Sequence, residues 1–159
     1  NDIFYALTIS KSLPDNTGTV IVKHASPCGV SINKDNIKSY QLALACDPIS
    51  AFGGIVSCNF KITKKLAIEL NKIFLEVIIS NGFDIEALKI LKKKKNLRII
   101  DATKFTIKDI IKFNSTNGSI LIQSEDIKKL NIKDFKIVSK KKPTKLQLKN
   151  LIFAFNISS

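Results

Sequence analysis

The chain has 159 residues, 45% hydrophobic and 25% charged, with 26 Lys and Arg against 13 Asp and Glu for a formal charge of +13. That length suits about one domain with a sizeable core, and no apolar run approaches the roughly 18 residues a membrane span needs. Cys28, Cys46 and Cys58 are odd in number and lack CxxC spacing, which argues against both a disulfide framework and a zinc site.

In chain order, Asp2 to Leu13 reads as a helix. Four β-branched residues, Thr19 to Val22, then follow Gly18 and with Lys23 form a predicted buried strand. Lys23 and the single histidine, His24, emerge at its C-terminal end, ahead of a predicted turn at Pro27-Cys28-Gly29. Such strand ends are where open α/β sheets bind ligands. Asp35 to Ala45 is a predicted helix with Ile37, Tyr40 and Leu44 on one face, followed by a turn at Asp47-Pro48. The loop Ile49 to Gly54 leads into a short strand, Ile55 to Cys58. Thr63 can cap a helix in which Leu66, Leu70, Ile73 and Phe74 recur at helical spacing. Val77 to Ile79 is a β-branched run.

Asp84 to Lys94 reads as a helix whose closing lysines, Lys92 to Lys95, suit the negative end of the helix dipole and form a solvated face. Leu97 to Ile100, Ile120 to Ile122 and Phe135 to Val138 are further strand candidates. Thr144 and Gln147 make a capping box for a last helix carrying Leu148, Leu151, Ile152 and Phe155. Strands alternating with helices predict the α/β class, a layered mixed sheet with helices on both faces. The absence of methionine and of a stop signal after the last helix leads us to expect a piece truncated at both ends.

The positive charge raises a second reading, a Lys-rich nucleic-acid-binding module without catalysis, because clustered cations gain affinity by releasing counterions. Only Arg98 among the cations is arginine, however, and base readout favours the guanidinium fork. Joint enrichment in Lys, Ile and Asn is what AT-rich coding would produce. No specific nucleic acid is expected as a partner, nor a membrane, and with no signal peptide visible the expected location is the cytosol.

Several motifs in fixed order carry a resemblance. They are Val22-Lys23-His24 with Pro27-Cys28-Gly29, Asp47-Pro48 with Ser50 to Gly54, Glu76 to Ile79, Glu86-Ala87-Leu88, Leu97-Arg98, Gly118 to Gln123, and Lys142-Pro143-Thr144 before Leu151 to Phe155. Together they resemble the first part of the transformylase domain of the AICAR formyltransferase/IMP cyclohydrolase family, over residues 1–159. That resemblance implies a cytidine-deaminase-like fold and a homodimer with composite sites. It also implies formyl transfer from 10-formyltetrahydrofolate to the 5-amino group of 5-aminoimidazole-4-carboxamide ribonucleotide (AICAR) in purine biosynthesis, with no metal. By motif, His24 is the base for the transferred proton and Lys23 the electrostatic stabiliser. An imidazole suits that task at neutral pH, and an ammonium can offset oxyanion charge.

Phe52 can lay a flat surface against a heterocycle, and Gly53 lets backbone approach a ligand. The resemblance places Gly53 in the nucleotide pocket and Glu76 in contact with substrate. An acid heading the run Val77 to Ile79 is costly to leave unpaired, so Glu76 is expected to accept a hydrogen bond from the base or amine. Each has a bland reading: a structural histidine, a core phenylalanine, an ordinary glycine turn, an exposed glutamate, and a packing role for Cys28. Their joint order favours the site.

Ser26, Tyr5 and Ser119 depart from residues common in the family, which bears on fine substrate contacts. The resemblance covers neither the family's upstream cyclohydrolase domain nor the second half of its transformylase domain, so the piece alone is expected to be inactive. A zinc nucleoside deaminase would need an H-x-E pattern and a second cysteine at ligand spacing. Residues 24–26 are His-Ala-Ser, and no such cysteine follows Cys28.

Overall fold

The computed structural model describes residues 2–106, 111–124 and 132–158. The chain divides into two compact units, Asn1–Ile107 and Lys108–Ser159.

The first unit is built on a five-stranded sheet in the order β2-β1-β3-β4-β5. Its strands are β1 (Gly18–Lys23), β2 (Ser26–Ile32), β3 (Gly54–Cys58), β4 (Leu75–Ser80) and β5 (Arg98–Asp101). β1 runs antiparallel to β2 and β3, whereas β3, β4 and β5 are mutually parallel. Four helices flank it: α1 (Asp2–Ser12), α2 (Asn36–Cys46), α3 (Lys64–Leu70) and α4 (Ile85–Leu91).

The period-2 alternation of each strand sorts its side chains between two faces. Ile21, Val56, Cys58 and Ile78 join Tyr40 and Ala43 of α2, Leu66 and Leu70 of α3, and Ala87 and Leu91 of α4 in one core cluster. Val20, Val22, Ser57, Val77 and Ile79 are buried on the opposite face, where α1 packs and Ser10 Oγ lies 2.7 Å from Ser57 Oγ. The fold is therefore the expected mixed sheet with helices on both faces. Burying a Leu or Ile side chain contributes roughly 1.5–3 kcal/mol relative to exposure, so this double-sided core defines strand register.

The caps form as their residue types dictate. Asp35 accepts hydrogen bonds from the Ile37 and Lys38 amides, and Thr63 Oγ1 accepts from Leu66 N. Asp84 occupies the N-cap of α4 without a side-chain cap bond and instead pairs with Lys61 at 2.7 Å. Helix α3 ends at Leu70, short of the predicted Phe74: the Asn71 amide closes the last α-type bond to Ala67 O, and the Lys72 amide then bonds three residues back to Glu69 O, tightening the final turn. Lys94 is more than a solvated cation: its ammonium donates to the carbonyls of Asn71 and Ile73, at 2.8 and 2.7 Å, just beyond the end of α3.

The second unit holds an antiparallel hairpin, β6 (Ile111–Thr116) with β7 (Ser119–Ser124), a short 3-10 turn at Ile132–Asp134, and α5 (Lys145–Ser158). Strand β6 was not foreseen, because two apolar residues in six make a weak alternation signal. Phe135 to Val138 form no strand and pair with none among the described residues. The capping box of α5 is reciprocal: Thr144 N donates to Gln147 Oε1 at 2.9 Å, and Gln147 N donates to Thr144 Oγ1 at 3.2 Å.

Candidate functional site

Lys23 and His24 close the β1–β2 hairpin. The predicted Pro27-Cys28-Gly29 turn is instead part of β2, and the chain reverses one step earlier, at His24 and Ala25. Both central residues have positive φ, 52° and 57°, the signature of a type I′ turn, whose twist matches the flanking strands. Histidine tolerates this left-handed conformation better than most residues, but alanine does not, so the tip carries backbone strain.

Gly29 lies within β2, packed against α2. A Cβ at Gly29 would lie 2.0 Å from the Ala43 carbonyl oxygen of α2, so β2 runs against helix backbone at a distance only glycine allows. The register slips by one residue between the pairs Ile21↔Gly29 and Val22↔Pro27, leaving Cys28 as a bulge. Bulges bend strands and re-aim side chains, often beside active sites. The Cys28 thiol donates to Ile21 O at 3.5 Å, and burial raises its pKa above the ordinary value. A thiol held protonated is a poor nucleophile, consistent with packing.

The antiparallel β1–β3 pairing brings the end of β1 to the beginning of β3, with Val22 opposite Ile55. Because β3 and β4 are parallel, Gly54 and Leu75 meet at the same edge. The rim thus combines the C-terminal end of β1 with the N-terminal ends of the parallel strands. The simple rule for open α/β sheets points to the opposite edge of those strands, so β1's reversed direction is what moves the candidate site here.

Lys23, Phe52 and Gly53 are joined by direct contacts. The Lys23 ammonium donates to Phe52 O at 2.8 Å, and Gly53, at φ +72°, donates its amide to Phe74 O at 2.9 Å. The approach to this loop is shaped by Asp47, whose Oδ1 accepts from Ser50 N at 3.0 Å. Hydrogen bonding from Ser50 holds the Asp47 carboxyl below its ordinary pKa.

His24 and Glu76 reach the same rim by topology, but neither side chain has a hydrogen-bonding partner among the described residues, and both are exposed. Glu76 is the extra residue of β4 between the pairs Gly54↔Leu75 and Ile55↔Val77. The hydrogen bond expected at Glu76 is one from the base or amine of a substrate, not one from a neighbouring side chain. The bulge turns this acid to solvent, which removes the burial cost behind that expectation.

Sequence reasoning missed Phe74. Its ring packs on Phe52, with centroids 5.4 Å apart and planes tilted by 44°. Helical spacing had assigned it to α3. Arranged this way, the rim offers an exposed imidazole, an ammonium bound to a neutral carbonyl, a carboxylate and an aromatic pair. Among the described residues, no group of three or more His, Cys, Asp or Glu side chains could hold a metal ion, and no helix is long and apolar enough to cross a membrane.

The family model for the AICARFT/IMPCHase bienzyme matches residues 1–159. Among curated proteins, the chain is 44% identical over 140 residues to the bifunctional purine biosynthesis protein PurH of Clostridium kluyveri, covering 87% of the chain and 27% of that protein. It is 40% identical over 160 residues to PurH of Acetivibrio thermocellus, covering 99% and 31%. The chain thus spans about a third or less of the length of these relatives. Two solved structures also overlap it. One is RibD of Acinetobacter baumannii, with a TM-score of 0.48, 16% identity, and 65% of this chain and 35% of that one covered. The other is a dCMP deaminase from cyanophage S-TIM5, with a TM-score of 0.47, 9% identity, and 62% and 92% covered.

Proposed function

The chain belongs to the AICARFT/IMPCHase bienzyme family, and from that premise we propose that its hairpin rim serves formyl transfer from 10-formyltetrahydrofolate to the 5-amino group of AICAR. The observation that carries this reading is the convergence of Lys23, His24, Phe52, Gly53 and Glu76 on one sheet edge, with Lys23 tied directly to Phe52 O.

In the proposed step the amine nitrogen forms a bond to the formyl carbon while His24 accepts the proton it sheds. The carbon–nitrogen bond to the folate then breaks, and tetrahydrofolate leaves with a proton. The amine is a weak nucleophile, its lone pair delocalised into ring and carboxamide, so proton removal during attack lowers the barrier. The Lys23 ammonium, already held at the rim by a neutral carbonyl, supplies positive charge to the tetrahedral oxyanion or the departing nitrogen. Phe52 and Gly53 receive a planar substrate, and the exposed Glu76 is free to accept from it. The intact protein works in the cytosol as a homodimer with composite sites, and this segment alone is inactive.

His24→Ala in the intact protein tests the reading, with formyl transfer and IMP cyclisation assayed side by side. A positioned base contributes about 10² to 10⁴ in rate, so transfer falls by that factor while cyclisation holds. Transfer at the unsubstituted rate removes His24 from the mechanism. Loss of cyclisation with transfer intact assigns this segment to the other half of the bienzyme.

A further inference from the structure

We propose that Phe74 is a positioning residue that, with Phe52, forms the wall against which a flat substrate ring is held; this rests on the formyl-transfer reading of the rim. Three contacts converge on Phe74. Its ring packs against Phe52 at 5.4 Å. Its carbonyl accepts the Gly53 amide at 2.9 Å. Its ring edge lies 3.6 Å from where a Cβ of Gly53 would sit, so it also borders the glycine that lets a ligand approach the backbone.

Despite this pairing, Phe52 is 60% and Phe74 44% exposed. The 44° tilt is neither a parallel stack nor an edge-to-face seat. Each ring therefore keeps apolar surface uncovered, on the loop whose Phe52 carbonyl accepts from the Lys23 ammonium. Exposed aromatic surface beside convergent polar groups is how sites for planar ligands are built. The chemistry it fits is a conjugated heterocycle, which both proposed substrates carry. Phe74 also holds the loop that presents Phe52, since ring contact and backbone bond act on adjacent residues of that loop.

The test is steady-state kinetics of the intact protein with Phe74→Leu and Phe74→Tyr, neither of which alters the backbone bond to Gly53. Phe74→Leu is expected to raise KM for one substrate about tenfold, the order of one lost aromatic stacking contact, with kcat within threefold and cyclisation unchanged. Phe74→Tyr, which keeps the ring, stays within twofold. The substrate whose KM moves is the one held by the wall. Unchanged KM for both substrates in Phe74→Leu overturns the proposal, as does a Phe74→Tyr enzyme as impaired as Phe74→Leu. A fall in both activities together with the melting temperature also overturns it, since that marks a purely structural ring. His24→Ala run in parallel separates the two claims: if it transfers formyl normally the underlying reading fails, whereas an inactive His24→Ala beside an unaffected Phe74→Leu sinks only this one.

Discussion

The Lys23 ammonium and the Phe52 carbonyl oxygen meet at 2.8 Å, tying the end of β1 to the loop that opens β3 across 29 residues of sequence. That bond is solvent-exposed and so contributes little to stability, while it fixes where a positive charge stands at the rim. Lys23→Met should lower unfolding free energy by less than about 1 kcal/mol. In the intact protein, formyl transfer should fall at least about tenfold, in the manner of a lost transition-state donor. Chemical denaturation and turnover of the same variant check this. A large stability loss with turnover intact would make Lys23 a structural clamp only.

The strained hairpin tip predicts opposite responses at Ala25. At φ 57° a β-branched side chain is a steric outlier, so Ala25→Val should destabilise by about 2 kcal/mol or more. Ala25→Gly relieves the left-handed penalty and offsets glycine's extra chain entropy, leaving stability equal or up to about 1 kcal/mol higher. Urea denaturation of the pair reads the difference, and equal midpoints would contradict the turn geometry.

Gly29 is held by contact rather than by conformation. The smallest addition, Gly29→Ala, puts a methyl 2.0 Å from the Ala43 carbonyl, and neither strand nor helix backbone yields cheaply. A loss of about 2–3 kcal/mol is expected from overpacking. The thermal midpoint should drop accordingly, and an unshifted midpoint would mean that α2 does not sit on β2.

Alkaline pH should expose two buried groups. Burial pushes the Cys58 thiol up from 9.0 to about 12 and the Tyr40 hydroxyl from 10.0 to about 12. Both folded values are raised, so the unfolded chain gives up these protons first. The stabilisation is complete below pH 9 and is lost as pH climbs toward about 12. Tyr40 is also fully buried with no hydrogen-bond partner for its hydroxyl among the described residues. Tyr40→Phe should therefore flatten part of the alkaline decline and add about 1 kcal/mol at neutral pH. Denaturant titrations at pH 7, 10 and 11 test both statements, and a stability independent of pH across that range refutes them.

Much of the rim was legible before any coordinates. The β-branched run Thr19 to Val22 announced β1, and the order of motifs singled out Lys23, His24, Phe52, Gly53 and Glu76. Phe74 was illegible because its spacing after Leu70 fits a helix as well as the loop it occupies. The Pro27-Cys28-Gly29 turn was misread because proline and glycine commonly punctuate loops, whereas here Gly29 serves a close helix contact. Glu76 was expected to accept a hydrogen bond because its neighbours are apolar, and the register shift at the start of β4, which leaves no local signal, sets it at the solvent-facing rim.

By itself the sequence determined the elements and their caps: the strand at Thr19 to Val22, the helix starts at Asp35, Thr63 and Thr144, and the α/β class. Those are set by side chains acting within a few residues of themselves. Only the tertiary structure decided that β1 runs against β3, that the hairpin turns at His24-Ala25, and that Phe52, Gly53 and Phe74 meet at the edge where Lys23 emerges. These depend on strand register, which is settled by burying both faces of the sheet at once, and no short stretch of chain can encode that requirement alone.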